Sequence, residues 1–420
     1  MSLHLRDDER AMLAGEAGEG TALAMRIVAR MAEVCGAGEL LAIESAHVDG
    51  CLYHGPSGLD FAQRLVDGGA RVRVPTTLNV GALDLLHPGH FRGAPEVAER
   101  ARRLMAAYVE LGCQPTWTCA PYQYVQRPPR GSQIAWAESN AIVFANSVLG
   151  ARSERYGDFI DVCAAITGRV PAAGLHLQEN RRGEILFRLR GVGENLLHAD
   201  VLGPVLGYLV GERSGRRIPV IEGLPAGISE DVLKALGAAA ASSGAVALFH
   251  AAGITPEAPT LEAAFGGRRP RAVVDVTPQL LRAARDRLAT TADGAIDVVA
   301  LGSPHFSIAE FARLLPLVEA HPPRPEVEFV VCTHRVAVAW LERHGHLATL
   351  AELGVEVVAD TCVVVTPILR AKTGTLMTNS GKFAHYAPGN VGLEVVFGSL
   401  EECVRSAHHG RVWRDPELWR

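Results

Sequence analysis

The chain has 420 residues, 48% of them apolar and 21% charged, with a formal net charge of -5. This length exceeds one ordinary core and points to two or three domains, while the mild acidity gives no reason to expect nucleic acid as a partner. No apolar run reaches the ~18 residues of a membrane span, the N-terminus lacks a signal core, and eight cysteines are too sparse for a disulfide scaffold, so a cytoplasmic protein with reduced thiols is expected.

In chain order, residues 18–36 predict an amphipathic helix with Leu23, Ile27, Met31 and Val34 on its apolar stripe. A short buried strand at 40–43 leads into Glu44-Ser45-Ala46-His47-Val48-Asp49-Gly50-Cys51. After the turn His54-Gly55-Pro56-Ser57-Gly58 come a helix around 59–67, a strand around 71–74 and a helix over 95–111. Residues 113–132 form a loop rich in Cys, Pro, Tyr and Gln, long enough to suggest function. Segments 175–178 and 184–188 flank Asn180-Arg181-Arg182-Gly183 and predict a hairpin. Two helix–strand units follow, ending at 218–221 and 245–249. The Pro-, Gly- and Arg-rich stretch 253–271 is a candidate boundary. Beyond it strands alternate with helices near 278–288, 307–319, 335–344 and 347–352, the pattern of a parallel sheet. The fold class is therefore α/β. Three regions are expected: 1–150 with substrate loops, 151–270 in the middle, and 271–420 carrying the metal ligands.

Three of the C-terminal strands end on possible ligands. The runs 296–301, 326–331 and 355–360 lead into Gly302-Ser303-Pro304-His305, Cys332-Thr333-His334-Arg335 and Thr361-Cys362. Carboxyl ends of parallel strands line the ligand crevice of open α/β sheets. Cys119 sits in the long loop, so Cys119, Cys332 and Cys362 form a candidate trio of thiolates around iron with a position left for substrate. The alternative is that each is a small buried hydrophobe, the role assigned to Cys35 and Cys163 on helix faces and to Cys403. Lys382, after a Gly-containing turn and beside hydroxyl residues, is a candidate point charge for an anionic substrate, although a solvated surface lysine reads the same way. Gly55-Pro56-Ser57-Gly58 and Thr76-Thr77-Leu78-Asn79 offer backbone amides to a carboxylate or phosphate, yet each alone is only a turn.

The strings Ser45-Ala46-His47-Val48-Asp49-Gly50-Cys51, Thr118-Cys119-Ala120-Pro121-Tyr122, Trp136-Ala137-Glu138-Ser139-Asn140-Ala141, Ala145-Asn146-Ser147-Val148-Leu149-Gly150-Ala151-Arg152, Gly302-Ser303-Pro304-His305, Asp360-Thr361-Cys362 and Ser380-Gly381-Lys382-Phe383-Ala384-His385-Tyr386 together resemble the large subunit of the aconitase X family, in order and over nearly the whole chain. The resemblance implies an aconitase-like multi-domain fold with parallel or mixed sheets, an iron or iron–sulfur centre, and a dehydratase (hydro-lyase) reaction. It also implies a separate small subunit, because fused relatives carry that domain on a longer chain. Family members commonly have Cys where Ser303 stands. That departure favours a 2Fe-2S cluster or a single iron over 4Fe-4S, with Cys119, Cys332 and Cys362 as ligands and Ser303 beside them. The string Asp49-Gly50-Cys51-Leu52-Tyr53-His54-Gly55 is similar to the bacterial branch, which implies dehydration of cis-3-hydroxy-L-proline to Δ1-pyrroline-2-carboxylate. Lys382 would then hold the substrate carboxylate, with Gly55, Pro56, Ser57, Asn79 and Val80 completing the cradle. The family places the base on a small-subunit serine, with His54 and His305 as alternatives in this chain. Other readings are phosphomevalonate dehydration, drawing on Arg152, Arg155 and Lys382, a non-catalytic iron-binding or redox-sensing protein, and a scaffold for its partner.

Overall fold

A computed structural model describes residues 3–419. Two compact units emerge, one of the chain up to Leu83 with Gly93–Arg182, the other of Asp84–Arg92 with the chain from Gly183 onward.

The first unit contains β1 (Leu40–Ala42), β2 (Ser45–Val48), β3 (Thr76–Leu78), β4 (Ile134–Trp136) and β5 (Arg169–Pro171). β1 pairs antiparallel with β5, while β2 lies parallel between β3 and β4. The strand expected at 71–74 begins later, at Thr76. The amides of Val72 and Arg73 are taken instead by the carbonyls of Leu111 and Ala165, which belong to no strand. The first long helix spans Glu19–Val34, but its buried face is Ala24, Met25, Val28 and Ala32, not the expected stripe. Small residues win because the helix approaches its neighbours closely: a side chain at Gly20 would collide with the Leu65 carbonyl and Ala70. Val34 is accordingly 73% exposed. Cys35, one residue beyond, is also exposed and not part of the core.

The second unit holds two parallel sheets. β6 (Ile185–Leu189), β7 (Pro219–Glu222), β8 (His250–Ala251) and β9 (Ala272–Val276) are arranged β8-β7-β6-β9. The stretch 253–271 thus connects two strands of one sheet. No hairpin forms at 180–183, because residues 174–180 make two 3-10 turns and β6 runs parallel to both neighbours. Buried Arg181 fixes that chain path by donating to the carbonyls of Leu175 (2.9 Å), Asn146 (3.0 Å) and Ala151 (3.0 Å). The other sheet contains β10 (Val298–Phe306), β11 (Glu328–Thr333), β12 (Val355–Ala359), β13 (Thr375–Thr378) and β14 (Glu394–Phe397), ordered β12-β11-β10-β13-β14 and parallel throughout. Its core is aliphatic and aromatic, with Val299, Phe311, Phe329, Leu341 and Val396 fully buried, as expected for strands covered on both faces. Among the described residues no helix is long and apolar enough to cross a membrane.

Candidate active site

The three ligand-bearing strands are neighbours, so their carboxyl ends emerge side by side. β10 and β11 keep one register through Leu301 and Val331, and it shifts before Phe306 pairs with Thr333. Within that irregularity lie Gly302 and the cis Ser303–Pro304 bond. Gly302 has φ +87°, and a Cβ there would run into the Cys332 carbonyl, so only glycine lets the two strand ends come this close. Asp360, at the end of β12, has φ +62°. The Arg335 guanidinium holds it in a fork, Nε to Oδ1 at 2.7 Å and Nη2 to Oδ2 at 2.8 Å. This turns the chain so that Cys362 follows two residues on.

Cys332 and Cys362 are buried, and the Cys362 thiol shares hydrogen bonds with Cys332 and Ser303. Hydrogen bonding from Cys332 is the largest influence on Cys362. Together with the Val364 amide, Ser303 and the Lys382 charge it outweighs burial and lowers the thiol to about 7. Lys382 is the second residue of the helix Gly381–Asn390, which Ser380 caps by accepting from the Phe383 amide at 3.0 Å. The Ser380 hydroxyl also donates to the Ser303 carbonyl. His305 is buried, with Nε2 2.9 Å from the Thr361 carbonyl, so its ring ties the end of β10 to the residue before Cys362. Two candidate catalytic features therefore converge here: a thiol pair of which Cys362 is lowered, and the half-buried Lys382.

The remaining sequence-predicted residues belong to the first unit. Cys119 is buried on the long loop, whose carbonyl accepts from Asn140 Nδ2 at 2.7 Å. The Tyr122 hydroxyl in turn donates to Asn140 Oδ1 at 2.9 Å. Gly55 precedes the helix Pro56–Asp67, with His54 and Ser57 exposed beside it. Asn79 and Val80 are buried. Asn79 donates through Nδ2 to Asp49 Oδ1, and its Oδ1 has no hydrogen-bond partner among the described residues. Arg152 is engaged with the His176 carbonyl and Gln178.

Sequence reading missed an acidic pair beside Asn79, the buried Asp161 and the half-buried Asp49. Asp161 Oδ2 accepts from the amides of Asp49 (2.7 Å) and Gly50 (3.3 Å). Burial, reinforced by neighbouring carboxylates, raises both Asp49 and Asp161 to about 7. His334 was missed as well. Its Nδ1 accepts from the Ala337 amide at 3.1 Å, and burial followed by the His305 and Lys234 charges lowers it to about 3. Asp49 was visible as part of a motif, but nothing in its spacing signals a carboxyl held near neutrality.

A buried thiol pair at the ends of adjacent parallel strands, one member lowered toward neutrality, marks the candidate site of an α/β protein. Family models for aconitase X match three segments, the first domain at residues 2–179, the second at 183–286 and the third at 296–409. The chain belongs to the aconitase X family. It is 48% identical to a cis-3-hydroxy-L-proline dehydratase of Pseudomonas aeruginosa, over 96% of this chain and 70% of that protein. The protein of the same name from Hypocrea jecorina is 41% identical, over 98% and 69%. A phosphomevalonate dehydratase large subunit of Methanothermobacter thermautotrophicus is 38% identical, over 96% and 98%. The crystal structure of Thermococcus kodakaraensis aconitase X in its holo-form superposes with a TM-score of 0.87 at 31% identity, covering 96% of this chain and all of that one.

Proposed function

We propose that this chain is the large subunit of a dehydratase that eliminates water from cis-3-hydroxy-L-proline to give Δ1-pyrroline-2-carboxylate, working with a separate small subunit. The substrate rests on the identities of 48% and 41% to relatives named for it, against 38% for the phosphomevalonate relative. That relative's name, a large subunit, supports a small-subunit partner. The single observation carrying the chemistry is the Cys332–Cys362 pair with its lowered thiol beside Ser303 and Lys382. Two buried thiols, one ionising near neutrality, fit a soft iron centre. Cys332 and Cys362 would hold it, with Cys119 as the third ligand assigned from the family resemblance. Ser303 in place of a cysteine favours a two-iron cluster or a single iron. Bound iron supplies Lewis-acid polarisation of the C3–oxygen bond.

The chain's own residues bind and orient the substrate. Lys382 receives the carboxylate as a point charge, from a helix start fixed by Ser380. The family resemblance adds Asn79, whose Nδ2 donates to Asp49, together with Gly55, Pro56, Ser57 and Val80 as substrate contacts. His305 keeps the Cys362 turn in place through the Thr361 carbonyl. The proton on the carbon bearing the carboxylate leaves to a base that the family resemblance places on the small subunit.

The test is anaerobic reconstitution with the small subunit, followed by iron and sulfide analysis and an assay for the imine. Cys362→Ala should lose iron and turnover together. Lys382→Met should keep iron while KM for hydroxyproline rises. Full activity in iron-free Cys362→Ala would overturn the ligand assignment, and turnover of phosphomevalonate alone would overturn the substrate.

A further inference from the structure

A second cluster of metal-ligating groups lies in the unit of the five-stranded sheet, in the segment Asp84-Leu85-Leu86-His87-Pro88-Gly89-His90-Phe91-Arg92. Several bonds fasten this segment beside β12 and the chain after it. The Leu85 amide donates to Asp360 Oδ2 at 3.2 Å, the Arg92 amide to the Pro367 carbonyl at 2.8 Å, and Arg92 Nε to the Ile368 carbonyl at 3.0 Å. A 3-10 turn over Pro88–His90 then brings both imidazoles to one side. Nδ1 of His90 lies 2.9 Å and Nδ1 of His87 3.2 Å from one atom, Asp84 Oδ2. All three ligand atoms fall within 4.8 Å of one another.

Asp84 is anchored before any ion arrives. Its side chain is 0% exposed. Oδ1 accepts from the amides of Leu86 (2.9 Å) and His87 (2.8 Å), and Oδ2 from the Ala359 amide at 3.1 Å. The far nitrogen of His90 is anchored too, with Nε2 3.0 Å from Glu356 Oε1 on β12. With Nε2–H donated to Glu356, a cation that displaces the Nδ1 proton would meet the Nδ1 lone pair beside Asp84. A carboxylate behind a histidine in this way is the usual support for a metal-bound imidazole. Two imidazole nitrogens and a carboxylate oxygen thus converge, as three ligands of one cation would.

We propose that Asp84, His87 and His90 bind one divalent transition-metal ion of the zinc class, with Glu356 orienting His90. Two nitrogens and one oxygen suit zinc better than calcium or magnesium, which take oxygen shells. His87, 43% exposed, leaves the site open to solvent for a further water ligand. The ion would clamp segment 84–92 to the strand that leads to Cys362, a structural role separate from the thiols.

Zinc alone is the probe. The full-length chain carrying Cys332→Ser and Cys362→Ser is stripped with a chelator and titrated with Zn2+ against a chromophoric competitor. One equivalent should bind, disappear on adding His87→Ala, and weaken about 10–100-fold with Glu356→Gln. His87→Ala truncates a ring that is nearly half exposed, so it leaves folding intact. The iron-loaded chain with native cysteines should take up the same single equivalent, which keeps the result independent of how well the double variant folds. Absence of zinc binding in both proteins, or an equivalent that survives both His87→Ala and His90→Ala, overturns the proposal.

Discussion

His176 shows how one buried side chain fixes its own protonation. Its Nδ1 lies 2.7 Å from Gln133 Oε1, and its Nε2 is 2.5 Å from the Tyr156 hydroxyl. Gln133 spends its Nε2 on the His176 carbonyl at 3.2 Å, so its Oε1 accepts and the imidazole proton sits on Nδ1. Burial first, then the Arg181 and Arg152 charges, depress the ring to about 3. An unfolded histidine takes up a proton near ~6.5, whereas the folded one refuses it. Stability held above that value is therefore lost as pH falls toward 3, by about 1.4 kcal/mol per pH unit. His176→Gln should be less stable than the parent at pH 8 by about 1–2 kcal/mol. In urea midpoints the gap should narrow below pH 6.5, because the variant has nothing there to protonate. A gap independent of pH would show that the ring titrates in the fold as it does in the unfolded chain. At this scale the sequence revealed what lay at strand ends, namely Ser303, Cys332, Cys362 and the nearby Lys382. It concealed Asp49 and Asp161, which meet across 112 positions. Their meeting comes from packing, and no local pattern records it.

Between helices, Lys234 is the corresponding device. It sits in the helix Glu230–Ser243, 2% exposed, 3.0 Å from Asp231 and in contact with Glu310, and its Nζ donates to the His305 carbonyl at 3.3 Å. Ser307 and Glu310 form the capping box of the helix Ile308–Ala320, and the Ser307 hydroxyl donates to Asp231 at 2.8 Å. One ammonium thus joins two helices at the turn that follows His305. Lys234→Met should cost about 3–5 kcal/mol, since two carboxylates lose their shared cation in the interior. Adding Glu310→Gln should recover part of that loss in chemical denaturation, and no recovery would mean the lysine acts through packing alone. The helices of this region were legible from sequence because they alternate with strands, and the structure shows Thr277, Ser307 and His334 capping their starts. The hairpin expected at 180–183 failed for a tertiary reason: Arg181 draws its segment into the first unit. The stripe of the first helix failed because glycine and alanine, apolar but small, mark close approach better than leucine does.

For the molecule as a whole, alternating strands and helices announced parallel sheets, and both large sheets are parallel. The order β12-β11-β10-β13-β14 was not legible, since any sequence of crossovers satisfies the same alternation. Nor did composition reveal that residues 84–92 leave the surrounding unit to join the second. The distribution of sulfur, settled only by the three-dimensional packing, has a practical consequence. Among the described residues seven cysteines are buried and Cys35 alone is exposed. A thiol-reactive dye should therefore label the native chain once, quickly, and the other seven only as fast as the protein opens. Mass spectrometry of samples quenched over time would turn that lag into a clock for breathing motions. Replacing Cys35 with serine should leave the slow phase as the whole signal, and rapid modification of several sulfurs at once would show that the interior is more accessible than its packing implies.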